Sequence, residues 1–294
     1  MFLKSLLLCT LLGLAAAAKS QTGTATAEQF IKMRCDTEKA TDTILAWSGT
    51  SYSIEEQKPQ KELFGLFGIN LARCWYDKPT GSWMFTSREL QYYLDLDTGL
   101  PMYKYNNPWT GETNNVVHVA NDPVQFVYGN ADAPYVVQGG KFATFTNTVN
   151  LFYPNPLFAN STFKPYSWQK GYEGSELFKF FVPLDELQNA SATHTPSMHF
   201  SWSRISQWLP FMKMDGREGS MLFTAAGSRV EFEELPSWLQ KDITTRLPLY
   251  RHAPRCMLDL PDSTSWSYFG EHFSAYLNGD QFPAPVSAQP PCKK

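Results

Sequence analysis

From Ser82 to Leu94 the chain alternates so regularly that an extended strand with two distinct faces is the simplest reading. Trp83, Phe85, Ser87, Glu89, Gln91 and Tyr93 fall on one side, and Met84, Thr86, Arg88, Leu90, Tyr92 and Leu94 on the other. Arg88 therefore shares a face with two leucines and a tyrosine, and its neighbour Glu89 points away from it. Alternating segments recur at Thr43 to Glu55, Phe64 to Tyr76, Pro101 to Tyr105, Asn115 to Val119, Val124 to Tyr128, Lys141 to Tyr153, Ser175 to Val182, Ser197 to Ile205 and Gly219 to Ala226. Such spacing suits an antiparallel meander or barrel better than βαβ units. The expectation is a mainly β fold, an antiparallel β-barrel with a few short peripheral helices.

The helices fall at Ala27 to Cys35, Leu184 to Ala190 and Ser206 to Met212. Another opens at Leu235-Pro236, with Leu235, Trp238, Leu239 and Ile243 on one face, and ends at Pro248. Trp266 to Leu277 has helical spacing and either packs outside the barrel or closes one end. The Pro-rich tail from Phe282 to Lys294 reads as irregular.

The stretch from Asn106 to Val124 places one histidine between two turns. Asn107-Pro108 and Thr110-Gly111 supply the first turn, and Asn121-Asp122-Pro123 is expected to stop the strand that carries Val116, His118 and Ala120 on one face.

With 294 residues, no internal repeat and no Gly/Ser linker, one domain over residues 19–294 is expected. Aromatics at 15% against 18% charged residues leave rings over for lining a pocket. A net charge of -3 and a pI near 6.0 argue against a nucleic-acid partner.

Residues 1–18 read as a secretory signal: Lys4, an apolar run from Leu6 to Leu14, then Ala16-Ala17-Ala18. The run is shorter than the roughly 20 apolar residues of a membrane span, so a secretory or extracellular location with no membrane span is expected. Removing Cys9 with the signal leaves Cys35, Cys74, Cys256 and Cys292. Three pairings are open; Cys35 with Cys292 would tie the ends together, and Cys74 reads equally as a buried free thiol. Asn160 and Asn189 begin sequons and are expected to carry glycans.

Several motifs keep a recognisable order: Phe67-Gly68-Ile69-Asn70-Leu71-Ala72-Arg73-Cys74, Ser87-Arg88-Glu89, Asn107-Pro108-Trp109-Thr110-Gly111-Glu112, Val116 to Val124 and Tyr153-Pro154-Asn155-Pro156-Leu157. Glu176 to Val182, Ser201-Trp202-Ser203-Arg204, Trp208 to Met214 and Thr264 to Phe269 continue the series. Together they resemble the family known as domain of unknown function 1838, over nearly all of the chain after the signal. Secreted fungal members of this kind are similar to pericyclases that join a tropolone-derived o-quinone methide to the sesquiterpene humulenol by a hetero-Diels-Alder reaction. The resemblance implies a lipocalin-like or calycin-like barrel, no cofactor, and small apolar terpenoid and tropolone substrates in secondary metabolism.

Such a cycloaddition needs a cavity that holds two partners in register and a donor on the heterodiene oxygen. A positioned acid or base would assist the loss of water that makes the quinone methide. The candidate catalytic donors are Arg73, Arg88, His118 and Lys213, and the candidate substrate contacts are Tyr92, Trp109, Asn121, Asp122, Trp202 and Trp208.

Each has a plainer reading. Arg88 would form a buried ion pair with Asp95, Asp122 or Glu176. His118 would be a core histidine donating to a backbone carbonyl, Asn121 and Asp122 would cap a turn, and Trp202 and Trp208 would be core. Trp109 suits a pocket rim or lid. Hydrolase, NTPase and dehydrogenase signatures are missing, and the five histidines are too scattered for a metal site. Two other classes remain open: a lipocalin-like carrier of an apolar metabolite, and a secreted lyase or hydrolase using carboxylates such as Asp95 and Glu176. The sequence assigns no oligomeric state.

Overall fold

The computed structural model describes residues 21–38, 41–286 and 288–293. The proposed signal segment lies outside them. In chain order the strands are β1 (Thr22–Ala25), β2 (Thr43–Ile54), β3 (Glu62–Asp77), β4 (Ser82–Leu94), β5 (Lys104–Asn106), β6 (Thr113–Asn115), β7 (Val119–Tyr128), β8 (Ala133–Gln138), β9 (Phe142–Pro154), β10 (Gly171–Pro183), β11 (His199–Ser206) and β12 (Ser220–Val230). The α-helices are α1 (Ala27–Arg34), α2 (Leu184–Gln188), α3 (Ser237–Thr245) and α4 (Ser265–Leu277).

Ten strands form one antiparallel sheet in the order β1-β8-β9-β10-β11-β12-β2-β3-β4-β7, and β5 pairs with β6 apart from it. The sheet curls into a half-barrel. The barrel expectation thus takes the form of an open curl with two edges, β1 and β7.

The hand of the curl follows from which residues meet across it. Phe30 of α1 touches Phe145 of β9 and Tyr128 of β7, with ring centroids 5.8 Å apart in both cases. Those strands stand far apart in the sheet order, so α1 lies inside the curl. The open side is bridged by residues 258–266. There Ser263 N–H donates to Pro123 O, and the Gln125 side chain donates to the Leu258 and Leu260 carbonyls, all on the β7 side. On the other side the Tyr153 hydroxyl reaches Thr264 Oγ1, and Trp266 stacks on Tyr172 at 4.1 Å. This stretch leads into α4, which coincides with the Trp266 to Leu277 segment expected to pack outside the barrel or close one end.

The helix ends follow local chemistry. Thr26 and Gln29 form a reciprocal capping box at the start of α1, and Thr264 with Ser267 does the same for α4. The outer face of β2, β3 and β4 is covered by α3 and the turn after it. Ile44, Ile69, Leu71, Leu90 and Tyr92 share one buried cluster with Leu239, Ile243, Leu247 and Tyr250.

Several expectations change. Asn121-Asp122-Pro123 does not stop a strand: β7 runs through it, and Pro123, which has no N–H to give, is tolerated because β7 is an edge. The register slips between Ser87 and Glu89, so Arg88 faces this irregular step. Val116, Val117 and His118, expected on a strand, lie between β6 and β7 and are all buried, at 4%, 1% and 0% exposure. The cysteines pair as Cys35–Cys74 and Cys256–Cys292, not Cys35 with Cys292, and Cys74 is no free thiol. Cys74 points into the curl, where α1 brings Cys35, whereas Cys292 forms a bridge beside Leu258.

The Cys35–Cys74 bond closes a loop with a sequence separation of 39. Replacing both residues by alanine is expected to cost about 4 kcal/mol through loop entropy in the unfolded chain. Urea unfolding of the double variant against the oxidised protein checks this.

Candidate active site

The four expected donors do not converge. Arg73 lies on the outer face, where its guanidinium binds Asp42 at 2.6 Å; Asp42 also accepts from Ala253 N–H and contacts the His252 ring. Arg88, 1% exposed, pairs with Asp122 at 2.9 Å and donates to the Leu249 and His252 carbonyls. Both arginines fasten the turn after α3 to the sheet. Of the three carboxylates considered for Arg88, Asp122 is the partner. Burial pushes the Asp122 carboxyl up against the opposing pull of Arg88.

His118 is fully buried, and its Nδ1 accepts from Tyr93 N–H at 3.1 Å. Burial drives its pKa down to about 3, Asp242 opposing and Arg246 assisting. The ring is thus neutral near pH 7 and offers no proton transfer there. Because protonation is resisted only in the folded chain, His118 is expected to withdraw stability as pH falls from about 6.5 towards about 3. Urea midpoints measured at pH 7 and pH 4.5 should differ less in His118→Phe than in the parent protein.

Lys213 is bound to Glu112 at 2.8 Å at one end of the sheet. Nearby, Trp109 packs on Trp208 at 5.1 Å and donates to Glu55. Trp208 borders a cavity of about 190 Å³ there with Tyr166 and Arg217. Burial raises the Glu55 carboxyl, but hydrogen bonds from Lys58, Arg217 and Trp109 prevail and bring it to about 2. Tyr92 faces the outer layer and donates to Asp242. Asn160 and Asn189 are both exposed.

The inner face holds a different constellation. Strand register puts Trp47, Asn70, Glu89, Gln91, Asn121, Glu176, Phe178, Trp202 and Arg204 on it. Trp47, Glu89, Gln91, Glu176, Phe178 and Trp202 are each only partly buried, so solvent reaches this concave surface, which forms a trough. The Trp47 indole donates to Gln91 at 2.9 Å.

Glu89 is held at both oxygens. Asn70 donates to Oε1 at 2.9 Å and Asn121 to Oε2 at 3.3 Å; Asn70 is itself fixed by Ser87, whose hydroxyl donates to Val124 O. Desolvation raises the Glu89 pKa, and it outweighs the opposing bonds from Asn121 and Asn70 and the charge of Arg34. Protonated carboxyl is therefore favoured at this position beyond the ordinary range of a glutamate.

Glu176 stands opposite. Burial raises its pKa too, Arg204 opposes, and the charge of Glu89 adds to the rise although β10 and β4 are separated by four strands in the sheet order. The Glu89 charge is thus felt at Glu176 across the trough. Arg204 lies 3.8 Å from Glu176 and over the Phe223 ring at 4.6 Å.

Of the expected substrate contacts, Trp202 and Asn121 belong to this face. Tyr92, Trp109, Asp122 and Trp208 take part in the outer layer, the edge pair or the end cluster. Glu89, Asn70, Arg204 and Arg34 escaped the sequence reading. The available signal was Ser87, Glu89 and Gln91, three polar residues on the aromatic face of β4.

A family model described as protein of unknown function (DUF1838) matches residues 40–273. The matched span includes every residue of the trough named here except Arg34. No curated protein matches the chain.

Proposed function

The chain belongs to the DUF1838 family, and from that premise we propose that it is a cofactor-independent pericyclase working in the concave trough of the half-barrel. The reaction is a hetero-Diels-Alder joining of a tropolone o-quinone methide to a humulene-type sesquiterpene, as its resemblance to the fungal enzymes implies. The observation that carries the reading is Glu89, a carboxyl biased towards its neutral form and aimed by two asparagines into a trough walled by Trp47, Trp202 and Phe178.

A neutral carboxylic acid can protonate the hydroxyl of a precursor alcohol as its C–O bond breaks, releasing water. The proton lost from the ring hydroxyl returns to the resulting carboxylate, so the acid is regenerated. Its O–H is then available to the heterodiene oxygen during ring closure, where charge builds up. The aromatic walls hold the two partners together, and orientation of this kind contributes up to roughly 7–11 kcal/mol in well-ordered systems.

The two disulfides are compatible with a secreted protein, and no helix among the described residues is long and apolar enough to cross a membrane. Passage through the secretory pathway, with glycans at Asn160 and Asn189, is part of the proposal.

Incubating the purified protein with a hydroxymethyl tropolone and a humulene-type alcohol tests it. Adduct of a single stereochemistry, formed faster than in buffer, is the expected result. Saturable binding with no acceleration would replace the enzyme by a carrier of apolar metabolites.

A further inference from the structure

Arg34 is the last residue of α1, and the Cys35–Cys74 bond pins it against the inner face of the sheet. Its guanidinium lies 5.1 Å from the centroid of Phe85 on β4 and 5.5 Å from that of Phe180 on β10. The cation thus bridges two walls of the trough.

Arg73, Arg88 and Arg204 each have a carboxylate within salt-bridge distance. Arg34 has none among the described residues, and its Nε is buried without a hydrogen-bond partner. Glu89, whose carboxyl feels the Arg34 charge, takes its hydrogen bonds from Asn70 and Asn121 instead. Arg34 is only partly buried, so its guanidinium is open to a guest from the trough, and ring faces contribute only about 0.5–2 kcal/mol to holding it. A position in the last turn of a helix adds a comparable small amount. The planar fork of arginine matches a carboxylate or a pair of vicinal oxygens, and the flanking rings suit a flat guest.

We infer that the trough binds a planar guest bearing a negative charge, an aromatic carboxylate or ring oxyanion, with Arg34 as its counter-ion. This rests on the reading of the trough as a binding site and names the class of one substrate. It does not require turnover.

The full-length protein is titrated with 2-naphthoate and, separately, with its uncharged methyl ester, both followed by tryptophan fluorescence. One charge-assisted contact predicts that naphthoate binds roughly tenfold to a hundredfold tighter than the ester. Arg34→Met should remove the difference, Arg34→Lys, which keeps the charge but not the fork, should retain only part of it, and added salt should weaken naphthoate binding to the parent protein. Equal affinity for acid and ester, no binding of either, or naphthoate affinity that ignores both salt and Arg34→Met overturns the inference. The salt series decides the matter on the parent chain even if the methionine variant does not fold. Arg34-dependent binding of naphthoate in a protein that forms no adduct would leave the inference standing and remove the pericyclase.

Discussion

Arg88→Met is expected to lower unfolding stability by about 3–5 kcal/mol, the range found when one member of a buried ion pair is removed. Asp122, only 7% exposed at its side chain, would lose the cation that offsets its burial. The Leu249 and His252 carbonyls would lose their donor as well, so the turn after α3 would loosen from the sheet. Thermal unfolding should drop by roughly 10 °C, given about 2–4 °C per kcal/mol for chains of this order of size. A catalytic donor behaves otherwise: its removal lowers turnover and leaves melting nearly unchanged. A variant that melts like the parent but fails to turn over would return Arg88 to the chemistry and contradict its role as a clamp.

Glu89→Gln should show the opposite pattern. Glutamine keeps the shape of the neutral carboxyl and can accept from one asparagine, but it has no proton to transfer. Loss of a positioned acid typically costs 10²- to 10⁴-fold in rate, and that range is expected for adduct formation at saturating substrate. Melting near neutral pH should hold or rise, since a desolvated carboxyl has been removed.

The pH dependence has a definite sign. Burial lifts the folded pKa of Glu89 above that of an ordinary glutamate, so its contribution is present below the ordinary value and is lost as pH rises through the folded pKa. Glu89→Gln should flatten this part of the stability profile. Some slope would remain, because burial raises Glu176 and Asp122 as well. Unchanged turnover in Glu89→Gln would remove Glu89 from the mechanism.

The strands were legible where alternation is long. Ser82 to Leu94 coincides with β4, and the β9 and β12 segments differ from expectation mainly at their ends. The short strands β1 and β8 were missed, because Thr22–Ala25 is brief and polar and Ala133–Gln138 contains a proline. Alternation also distinguishes two faces without saying which one the sheet wraps around. Here both faces of β4 are largely covered, one by α3 and the other by the curl, so hydrophobicity could not choose between them.

That ambiguity explains the displaced site. Arg88 stood out as a charge among leucines, yet its face is the outer one. Glu89 was read only as pointing away from Arg88, and its asparagine partners lie 19 and 32 residues away. Arg34 gave even less signal, since a basic residue in the last turn of a helix is ordinary. Only tertiary closure, with the disulfide drawing α1 into the curl, places it among aromatic rings.

The most direct test of the account is a crystal structure of the protein soaked with its adduct or a close analogue. Density is expected in the concave trough, between Trp47 and Trp202 and within hydrogen-bond reach of the Glu89 carboxyl. An analogue seated elsewhere, with the inner face packed shut, would contradict it.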